Sequence, residues 1–393
     1  MGSCSKIITQ STIYGTKRRR LLLLEDSSDC MVGFPSDIME LILYKLDMVS
    51  FHCFGSVCKS WRSIAIAAKK RQPSYLYPQL PSLMLSSSSS SSRRAHQQHH
   101  HHRLFSLSHK KILKVKLLET CRARCCGSSW GWFIMESKEG NVFILNPLNE
   151  GRIQIQLPSR EAADGEFIRK AILLSPPTTT SDCVVVVINS NDSLSFSRLG
   201  DEVWTDIYEC YGWIDRNDYE DIIFYDGKVY AITHYLQLVH VELSPCSPKH
   251  KSCDIEFSGS EGFEEKTVYL VECMGELLMV IRLWARNGLE DYPKLRTKLF
   301  KIFQLDTEGE CWTSVENLGH QMLFVGSSNA IYLSELDYPG FKGNCIYFTE
   351  IVSDEDCSDK GVFHLEDKSF KPFIFDNAFP PGFVSSCSTP ILW

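Results

Sequence analysis

The sequence predicts an α+β protein with two parts: a small all-α helical module and, after it, a large all-β, propeller-like domain. Two observations lead to this division. Between residues 32 and 72 apolar residues recur with the spacing of helices, whereas from residue 111 onwards short apolar runs alternate with glycine-containing turns. The length of 393 residues, with 44% hydrophobic residues, is enough to bury one small and one large core.

The helical module is predicted from two apolar stripes. The first has the spacing i, i+3, i+4 and i+8 and consists of Ile38, Leu41, Ile42 and Leu46. The second has the spacing i, i+3, i+4 and i+7 and consists of Trp61, Ile64, Ala65 and Ala68. Ser36 follows Phe34-Pro35 and is expected to cap the first helix. Helices this short bury little surface by themselves, so the module is expected to keep apolar surface for a partner.

The order of residues in the module resembles an F-box. The resemblance rests on the opening Phe34-Pro35-Ser36-Asp37-Ile38, on Leu46 and on the ending Val57-Cys58-Lys59-x-Trp61-Arg62, although the family opens with Leu-Pro. It implies docking on an Skp-type adaptor, which links the protein to a cullin and to ubiquitin transfer. The adaptor-binding residues that it implies are Phe34, Pro35, Ile38, Leu41, Ile42, Leu46, Val57, Cys58 and Trp61. The alternative is a short helical hairpin that belongs to a larger core.

Two low-complexity stretches flank the module. Residues 1–31 are expected to form a disordered basic tail, in which Lys17–Arg20 is either a solvated basic arm or a nuclear-import signal. Residues 73–110 are expected to form a Ser/His-rich linker, because the serine run from Ser86 to Ser92 offers no apolar surface to bury. The four histidines from His99 to His102 could bind a metal ion, but low complexity is the favoured interpretation.

Charge is divided unevenly along the chain. Residues 1–126 contain 20 Lys+Arg and 7 Asp+Glu, whereas residues 127–393 contain 21 and 41. Because the basic residues are not interleaved with aromatic residues on one sheet, and the acidic part would repel phosphates, nucleic acid is not the expected partner. No run approaches the ~20 apolar residues of a membrane span. The 16 scattered cysteines indicate a reducing compartment, and the nucleus or cytoplasm is the expected location.

The C-terminal part is predicted to be a propeller because its hairpins recur and two of its segments resemble each other. Hairpin turns are expected at Asp226-Gly227 and Met274-Gly275. The segments that begin at Gly200 and Gly309 each place an acidic residue before Trp204 or Trp312. A tryptophan on an inner strand would fill the wedge between neighbouring sheets of a propeller. A β-sandwich is the alternative, although about 280 residues are many for one.

This part also resembles a group of plant F-box proteins whose C-terminal part is the domain of unknown function 295, similar to kelch-type propellers. The segments behind the resemblance begin at Gly127 (GSSWGW), Leu145 (LNPL), Ile155 (IQLP), Gly200 (the segment with Trp204), Phe224 (FYDGKVYA) and Leu270 (LVECMGELL). The resemblance implies that residues 111–393 form this propeller-like domain.

No catalytic, metal-binding or cofactor-binding constellation is predicted. The segment from Gly127 to Gly131 fits G-x-S-x-G, but a nucleophile elbow requires an apolar strand before Ser129 and a helix after it. Here Arg122-Ala-Arg-Cys-Cys precedes and a strand follows, so a tight turn is expected. The cysteines lack the paired C-x-x-C spacing of a zinc site.

The predicted function is therefore that of a substrate receptor in an Skp–cullin–F-box ubiquitin ligase, which binds a protein target without chemistry of its own. Aromatic residues are frequent in interface hot spots, and Tyr211, Trp213 and Tyr219 are the candidate target-binding residues. The opposing interpretation is that these aromatics pack between blades. Two alternative functions stay open: a propeller-based small-ligand binder or hydrolase, and a non-degradative F-box scaffold.

Overall fold

The computed structural model describes residues 35–43, 46, 54–71, 82–86, 102–106, 111–115, 123–146, 154–160, 166–177, 183–207, 218–243, 265–286, 295–306, 311–338, 340–351, 358–372 and 386–391. The chain divides into two compact units, Met1–Tyr75 and Leu76–Trp393. Within the described ranges, no helix combines the length and the apolar character that crossing a membrane requires.

The first unit contains the predicted helices. Helix α1 spans Ser36–Leu43, helix α2 spans Lys59–Arg71, and residues 54–57 are also helical. The carbonyl oxygen of Pro35 accepts hydrogen bonds from the Ile38 and Met39 amides at 3.1 and 3.2 Å. Pro35 therefore occupies the N-cap position and Ser36 is the first helical residue, so the helix begins one position earlier than the sequence predicted.

The core of this unit is formed by residues on the inner sides of the helices. They are Met39, Leu43, Phe54, Ala65 and Ala68, each at most 5% exposed. The ring of Phe54 stacks on that of Trp61, with 4.3 Å between the centroids. Helix α1 thus places Met39 and Leu43 in the core, and the side of the helix that carries Ile38, Leu41 and Ile42 points away from it.

The second unit contains a five-bladed propeller and one further four-stranded sheet. Blade 1 consists of β4 (Ala123–Ser129), β5 (Trp132–Ser137), β6 (Val142–Leu145) and β7 (Gln154–Gln156). Blade 2 consists of β8 (Ile168–Leu173), β9 (Val184–Asn189), β10 (Leu194–Arg198) and β11 (Thr205–Ile207). Blade 3 consists of β12 (Tyr219–Tyr225), β13 (Lys228–Thr233) and β14 (Leu238–Val241). Blade 4 consists of β15 (Glu265–Cys273), β16 (Glu276–Arg286), β17 (Leu295–Asp306) and β18 (Cys311–Ser314).

Blade 5 has a different chain path. Its strands are β19 (Gln321–Gly326), β20 (Ala330–Ser334), β21 (Cys345–Ile351), β22 (Ser358–His364) and β23 (Phe370–Lys371), in the order β20-β19-β21-β22-β23. Strands β19 and β21 are parallel, and every other pair in the blade is antiparallel. The innermost strand is therefore the second strand of this blade, whereas it is the first strand in blades 1 to 4.

The innermost strands meet around a central axis. Strand β8 lies beside β4 and β12, and β15 lies beside β12 and β20. The ring closes where the side-chain amide of Asn329 donates to the carbonyl oxygen of Ser128 at 3.2 Å, which joins blade 5 to blade 1. The predicted all-β, propeller-like fold after a small helical module is confirmed, and the ring of blades excludes the sandwich.

The remaining sheet changes the predicted domain boundary. It contains β1 (Ser82–Ser86), β2 (His102–Ser106), β3 (Lys111–Val115) and β24 (Ser386–Ile391), in the order β24-β1-β2-β3. Strands β1 and β2 lie within residues 73–110, which the sequence assigned to a linker. Strand β1 pairs with β2 and with the distant β24, and β2 pairs with β3, so the β domain begins before residue 111 and the linker is shorter than predicted. The tail of residues 1–31 lies outside the described residues.

Among the described residues, four hydrophobic clusters hold the blades together. Each one lies between two consecutive blades and takes residues from both. Trp204 packs on the cluster between blades 1 and 2, and Trp312 on the one between blades 3 and 4. The prediction that both indoles fill wedges between sheets is confirmed. Their position differs from the prediction, because Trp204 precedes the outermost strand of its blade and Trp312 lies in one.

Candidate functional site

An exposed apolar face lies on helix α1. Ile38, Leu41 and Ile42 are 43, 63 and 40% exposed, and Val57 is 55% exposed. Large aliphatic side chains lose favourable burial when they stay in water, at about 1.5–3 kcal/mol for a side chain that could be fully buried. A face of this kind on a module with so small a core is typical of a docking surface for an apolar groove.

The other predicted adaptor-binding residues fall into two groups. Leu46 and Trp61 are partly buried and pack against the core of the module, so their first role here is to hold the helices together. Pro35 is exposed at the start of α1, and Cys58 is partly exposed with its Sγ 3.0 Å from Ser60 Oγ. Phe34 lies outside the described residues. The adaptor-binding role of this set stays a prediction.

Arg62, which ends the motif that resembles an F-box, also has a structural role. Arg62 Nε donates to the carbonyl oxygen of Gly55 at 3.0 Å, and the Arg62 amide bonds to the carbonyl of Cys58. These bonds tie the start of α2 to the helical residues 54–57. They fix the positions of Val57 and Cys58, which lie between these two segments.

The predicted target-binding aromatics are not brought together. Tyr211 and Trp213 lie outside the described residues. Tyr219 is the first residue of β12, is 2% exposed and belongs to the hydrophobic cluster between blades 2 and 3. The prediction that Tyr219 contacts a target is wrong, because its side chain offers a partner no accessible surface.

Ser129, the central residue of the G-x-S-x-G pattern, ends strand β4. The residues after it, Trp130 and Gly131, form a two-residue turn with φ angles of 56 and 76°, and β5 follows directly. Ser129 Oγ accepts a hydrogen bond from the Leu173 amide at 3.3 Å, which ties blade 1 to blade 2. The predicted tight turn and the strand after it are confirmed, whereas the strand before Ser129, β4, was not predicted. The segment lacks the helix of a nucleophile elbow, because a strand follows the turn.

The buried thiols do not provide a nucleophile either. Cys345 Sγ lies 3.1 Å from His364 Nδ1, the contact that an activated cysteine would need, but both residues are buried in blade 5. Burial raises the pKa of the Cys345 thiol to about 11, and burial lowers the pKa of the His364 imidazole. Both groups are therefore neutral near pH 7, which is the opposite of a thiolate–imidazolium pair. Among the described residues, no group of His, Cys, Asp and Glu side chains could hold a metal ion.

A cavity of about 490 Å³ occupies the central channel where the innermost strands end. All five blades contribute to its wall. The apolar residues that line it include Trp130, Ile172, Leu173, Phe224, Met274 and Ile331, and the polar ones include Glu272, Gln321, Asp337 and Tyr338. Its size is that of a pocket for a small molecule or for one or two large side chains.

A buried ion pair fixes the wall of this channel. Lys170 of β8 and Asp221 of β12, 5 and 1% exposed, are in direct contact. Asp221 also accepts hydrogen bonds from the amides of Ile222 and Leu270, at 2.8 and 2.7 Å. One carboxylate therefore joins blades 2, 3 and 4. Because its charge is matched by Lys170 and its oxygens are hydrogen-bonded, the pair supports the wall and leaves the lysine unavailable to an anionic ligand.

Comparison with known proteins identifies both units. Residues 32–69 match the F-box domain, and residues 104–367 match the KIB1-4 beta-propeller family, which covers more than half of the chain. The chain belongs to this family. It is an F-box protein. F-box protein SKIP23 from Arabidopsis thaliana is 25% identical over 383 residues, which cover 84% of this chain and 88% of that protein. F-box/kelch-repeat protein KIB1 from Arabidopsis thaliana is 22% identical over 335 residues, covering 83% of this chain and 78% of that protein.

The resemblance to plant F-box proteins with a C-terminal propeller is thus confirmed for this F-box protein. The propeller channel was not predicted as a site. Trp130 and Met274 were visible in the sequence as the first residues of Trp-Gly and Met-Gly turns, a position where hairpins favour Asn or Asp. Large apolar residues at this position could have indicated the channel. However, local sequence does not reveal that three such turns meet at one axis.

Proposed function

We propose that this chain is the substrate-recognition subunit of an Skp–cullin–F-box ubiquitin ligase. The observation that supports this most directly is the exposed apolar face of Ile38, Leu41 and Ile42 on α1, within the residues that match the F-box domain. An Skp-type adaptor would cover this face with a complementary groove. The propeller, a rigid ring of five blades, would hold a protein target.

The proposed mechanism is proximity rather than chemistry within this chain. Binding the adaptor and a target at the same time raises the effective concentration of the target near the ubiquitin-charged enzyme. Two features favour a non-catalytic role: Ser129 lies in a strand–turn–strand segment, and Cys345 is held as a neutral buried thiol.

The docking proposal is tested by replacing two exposed residues of α1. In Ile38→Asp/Leu41→Asp, charges replace apolar side chains that do not belong to the core, so the module is expected to keep its fold. Because each side chain is expected to bury most of its surface in the adaptor groove, affinity for a purified Skp-type adaptor should fall at least about a hundredfold, as measured by biolayer interferometry.

The matched control is Val203→Asp/Leu336→Asp, which changes two apolar residues of the propeller that are 70 and 71% exposed. It should bind the adaptor as the unchanged protein does. If the α1 variant also binds with unchanged affinity, the proposed docking face is wrong. Proximity labelling with both variants would then separate neighbours that depend on the F-box from neighbours that depend on the propeller alone.

We also propose that the protein acts in the nucleus, the cytoplasm or both. A fluorescent fusion of the full chain tests this, and Lys17→Ala/Arg18→Ala/Arg19→Ala/Arg20→Ala tests the nuclear-import interpretation of the basic run. Loss of nuclear signal in this variant would support an import signal. An unchanged distribution would favour the solvated basic arm.

A further inference from the structure

Three hairpin turns at the mouth of the channel share one backbone conformation. Each joins the innermost strand of a blade to the second strand through two residues with positive φ: Trp130-Gly131 (56 and 76°), Asp226-Gly227 (45 and 72°) and Met274-Gly275 (57 and 83°). Turns of this type favour Asn or Asp before the glycine, because larger side chains are strained in the left-handed region. Blade 3 follows that preference, and blades 1 and 4 do not.

The two exceptional residues are also exposed. Trp130 is 51% exposed and Met274 is 67% exposed, and both line the channel cavity. Neither the turn conformation nor the packing of the blades accounts for large apolar side chains at these two places. Residues that depart from local backbone preference and stay exposed beside a cavity indicate binding rather than folding.

Both turns are held in place by neighbouring blades. Trp130 Nε1 donates to the carbonyl oxygen of Leu173 in blade 2 at 3.4 Å. The hydroxyl of Tyr225 in blade 3 donates to the carbonyl oxygen of Gly275 at 2.7 Å, which fixes the turn that carries Met274. The apolar side chains are therefore presented on a rigid frame, which lowers the entropy lost when a partner binds.

The same mouth carries negative charge. Glu272 and Asp337 line the cavity and are exposed, while the lysine of the wall, Lys170, is neutralised by Asp221. Asp226 and Glu276 lie close by, since together with Glu272 they raise the pKa of Tyr225, after the larger effect of burial. Lys228, the first residue of β13, is basic, but the four acidic residues named here outnumber it.

An unused hydrogen-bond acceptor lies in the same wall. Within the part of the chain that the structure describes, the Oε1 atom of Gln321 is buried and accepts no hydrogen bond, and Gln321 lines the cavity. Leaving such an oxygen unpaired in a buried place costs free energy, which a donor from a ligand would recover. An amide or a cationic side chain supplies that donor.

We propose that the channel mouth binds a segment of a protein target that inserts one large apolar side chain between Trp130 and Met274 and carries lysine or arginine beside it. The cavity holds one or two such side chains, and the acidic rim of Glu272 and Asp337 favours the basic neighbours. This inference rests on the proposed function, because it assigns target binding to the propeller and specifies the chemistry of the target.

The probe for this site is a fluorescein-labelled peptide with one central tryptophan between lysine and arginine residues. Two comparison peptides replace the tryptophan by alanine, or each basic residue by glutamate. Fluorescence anisotropy is measured with the full chain in complex with an Skp-type adaptor. The basic tryptophan peptide should bind at least about tenfold more tightly than either comparison peptide, and its affinity should fall as salt concentration rises.

Two variants assign binding to the mouth. Trp130→Asn/Met274→Asn removes the apolar side chains and suits the left-handed turns, so the fold should be kept while affinity for the basic tryptophan peptide falls about tenfold or more. Glu272→Gln/Asp337→Asn should reduce affinity severalfold and weaken its salt dependence. The control Glu202→Gln/Val203→Asn changes exposed residues of the segment between β10 and β11 and should bind the peptide normally.

Outcomes of these measurements separate the two proposals. If the complex forms with the adaptor but all three peptides bind equally, or if the Trp130→Asn/Met274→Asn variant binds normally, the channel proposal is wrong and the receptor proposal stands. If the peptide binds as expected but Ile38→Asp/Leu41→Asp retains the adaptor, the docking face is wrong and the channel proposal stands. Preference for the glutamate peptide would overturn the assignment of a basic segment.

Discussion

Arg282 and Asp359 form a buried ion pair that joins blade 4 to blade 5, with 3.0 Å between Nη2 and Oδ2. Arg282 is 0% exposed, and its guanidinium group lies over the rings of Trp284 and Phe348 at 3.9 and 4.7 Å from their centroids. Its Nε donates to Thr297 Oγ1 at 2.7 Å, so the charge is both paired and hydrogen-bonded. Buried charges persist in folded proteins only under such conditions.

Removing one partner of this pair should destabilise the propeller severely. Arg282→Leu leaves the Asp359 carboxylate without its main counter-charge, and we expect the free energy of unfolding to fall by about 3–5 kcal/mol. Chemical denaturation monitored by tryptophan fluorescence measures the change. Arg282→Leu/Asp359→Leu removes both charges and should regain part of the loss. A single variant as stable as the unchanged protein would contradict the role of the pair.

The two wedge tryptophans should differ in their response to the same substitution. Trp204 Nε1 donates to the carbonyl oxygen of Pro158 at 2.9 Å, whereas among the described residues the buried Trp312 Nε1 has no hydrogen-bond partner. Trp204→Phe should lower the free energy of unfolding by about 1 kcal/mol more than the smaller side chain alone explains, because the hydrogen bond is also lost. Trp312→Phe should not show this additional loss. Urea unfolding of both variants under one set of conditions checks the order, and equal losses would contradict it.

Any residue other than glycine at position 127 is predicted to destabilise the propeller. It lies at the register shift of β4, and a Cβ there would come within 1.9 Å of the carbonyl oxygen of Ala171 in blade 2. Gly127→Ala must push two backbones apart and should cost about 2 kcal/mol or more, seen as a lower melting temperature. Gly55→Ala is the control, because a Cβ at this helical residue meets its nearest atom, Ala65 Cβ, at 3.9 Å. If Gly127→Ala leaves the melting temperature unchanged, blades 1 and 2 can move apart at little cost in free energy.

Substitutions of two leucines in α1 should affect different properties, the stability of the module in one case and adaptor binding in the other. Leu43 is 3% exposed and Leu41 is 63% exposed on the same helix. Leu43→Ala should lower the local stability of the helical module by about 2–4 kcal/mol, measured as faster amide hydrogen exchange in α1 and α2. Leu41→Ala should change the free energy of local opening, as measured by exchange, by less than about 0.5 kcal/mol, but it should weaken adaptor binding. Equal exchange in the two variants would contradict the assignment of the inner and outer sides of α1.

The raised pKa values of two buried thiols predict that the protein loses stability at alkaline pH. Burial raises the pKa of Cys345 and of Cys273 from 9.0 to about 11, so each thiol keeps its proton in the folded protein where the unfolded chain has lost it. The folded state then binds more protons between pH 9 and 11, and the free energy of unfolding falls as pH rises through this range.

The measurement for this prediction is urea unfolding at several pH values. Cys345→Ala should reduce the slope of stability against pH between 9 and 11, whatever its effect on stability at pH 7. Cys311→Ala, which removes an exposed thiol, is the matched control for the substitution. A slope that Cys345→Ala leaves unchanged would show that the thiol does not titrate differently in the two states.

Local patterns in the sequence predicted the elements well where folding depends on neighbouring residues. The hairpin turns at Asp226-Gly227 and Met274-Gly275 are confirmed, because glycine with positive φ marks such turns wherever they occur. The predicted stripe of α2 is also found, since Ala65 and Ala68 lie in the core and Trp61 and Ile64 pack against it. In α1, apolar residues lie on two sides, and spacing alone could not tell that Met39 and Leu43 form the core while Ile38, Leu41 and Ile42 stay exposed.

Local patterns in the sequence could not predict which distant strands pair with each other. The serine-rich stretch gave no sign that Ser82–Ser86 pairs with Ser386–Ile391, since neither segment has a strong apolar alternation of its own. The candidate target-binding aromatics were chosen by composition, and Tyr219 proved to be buried because two blades meet over it. The channel mouth depends on which turns converge, and only the closed ring determines that.

The sheet that pairs β1 with β24 has a consequence for how the protein is made. Ser82 lies opposite Ile391, so two strands about 300 residues apart must meet before this sheet is complete. Synthesis proceeds from the N-terminus, and the blades can each form as they leave the ribosome, since their strands are contiguous in sequence. The pairing of β1 with β24 must wait until residues 386–391 have been synthesised, and such distant contacts form slowly. Until then the edge of β1 that pairs with β24 stays open, and an open strand edge can pair with another chain.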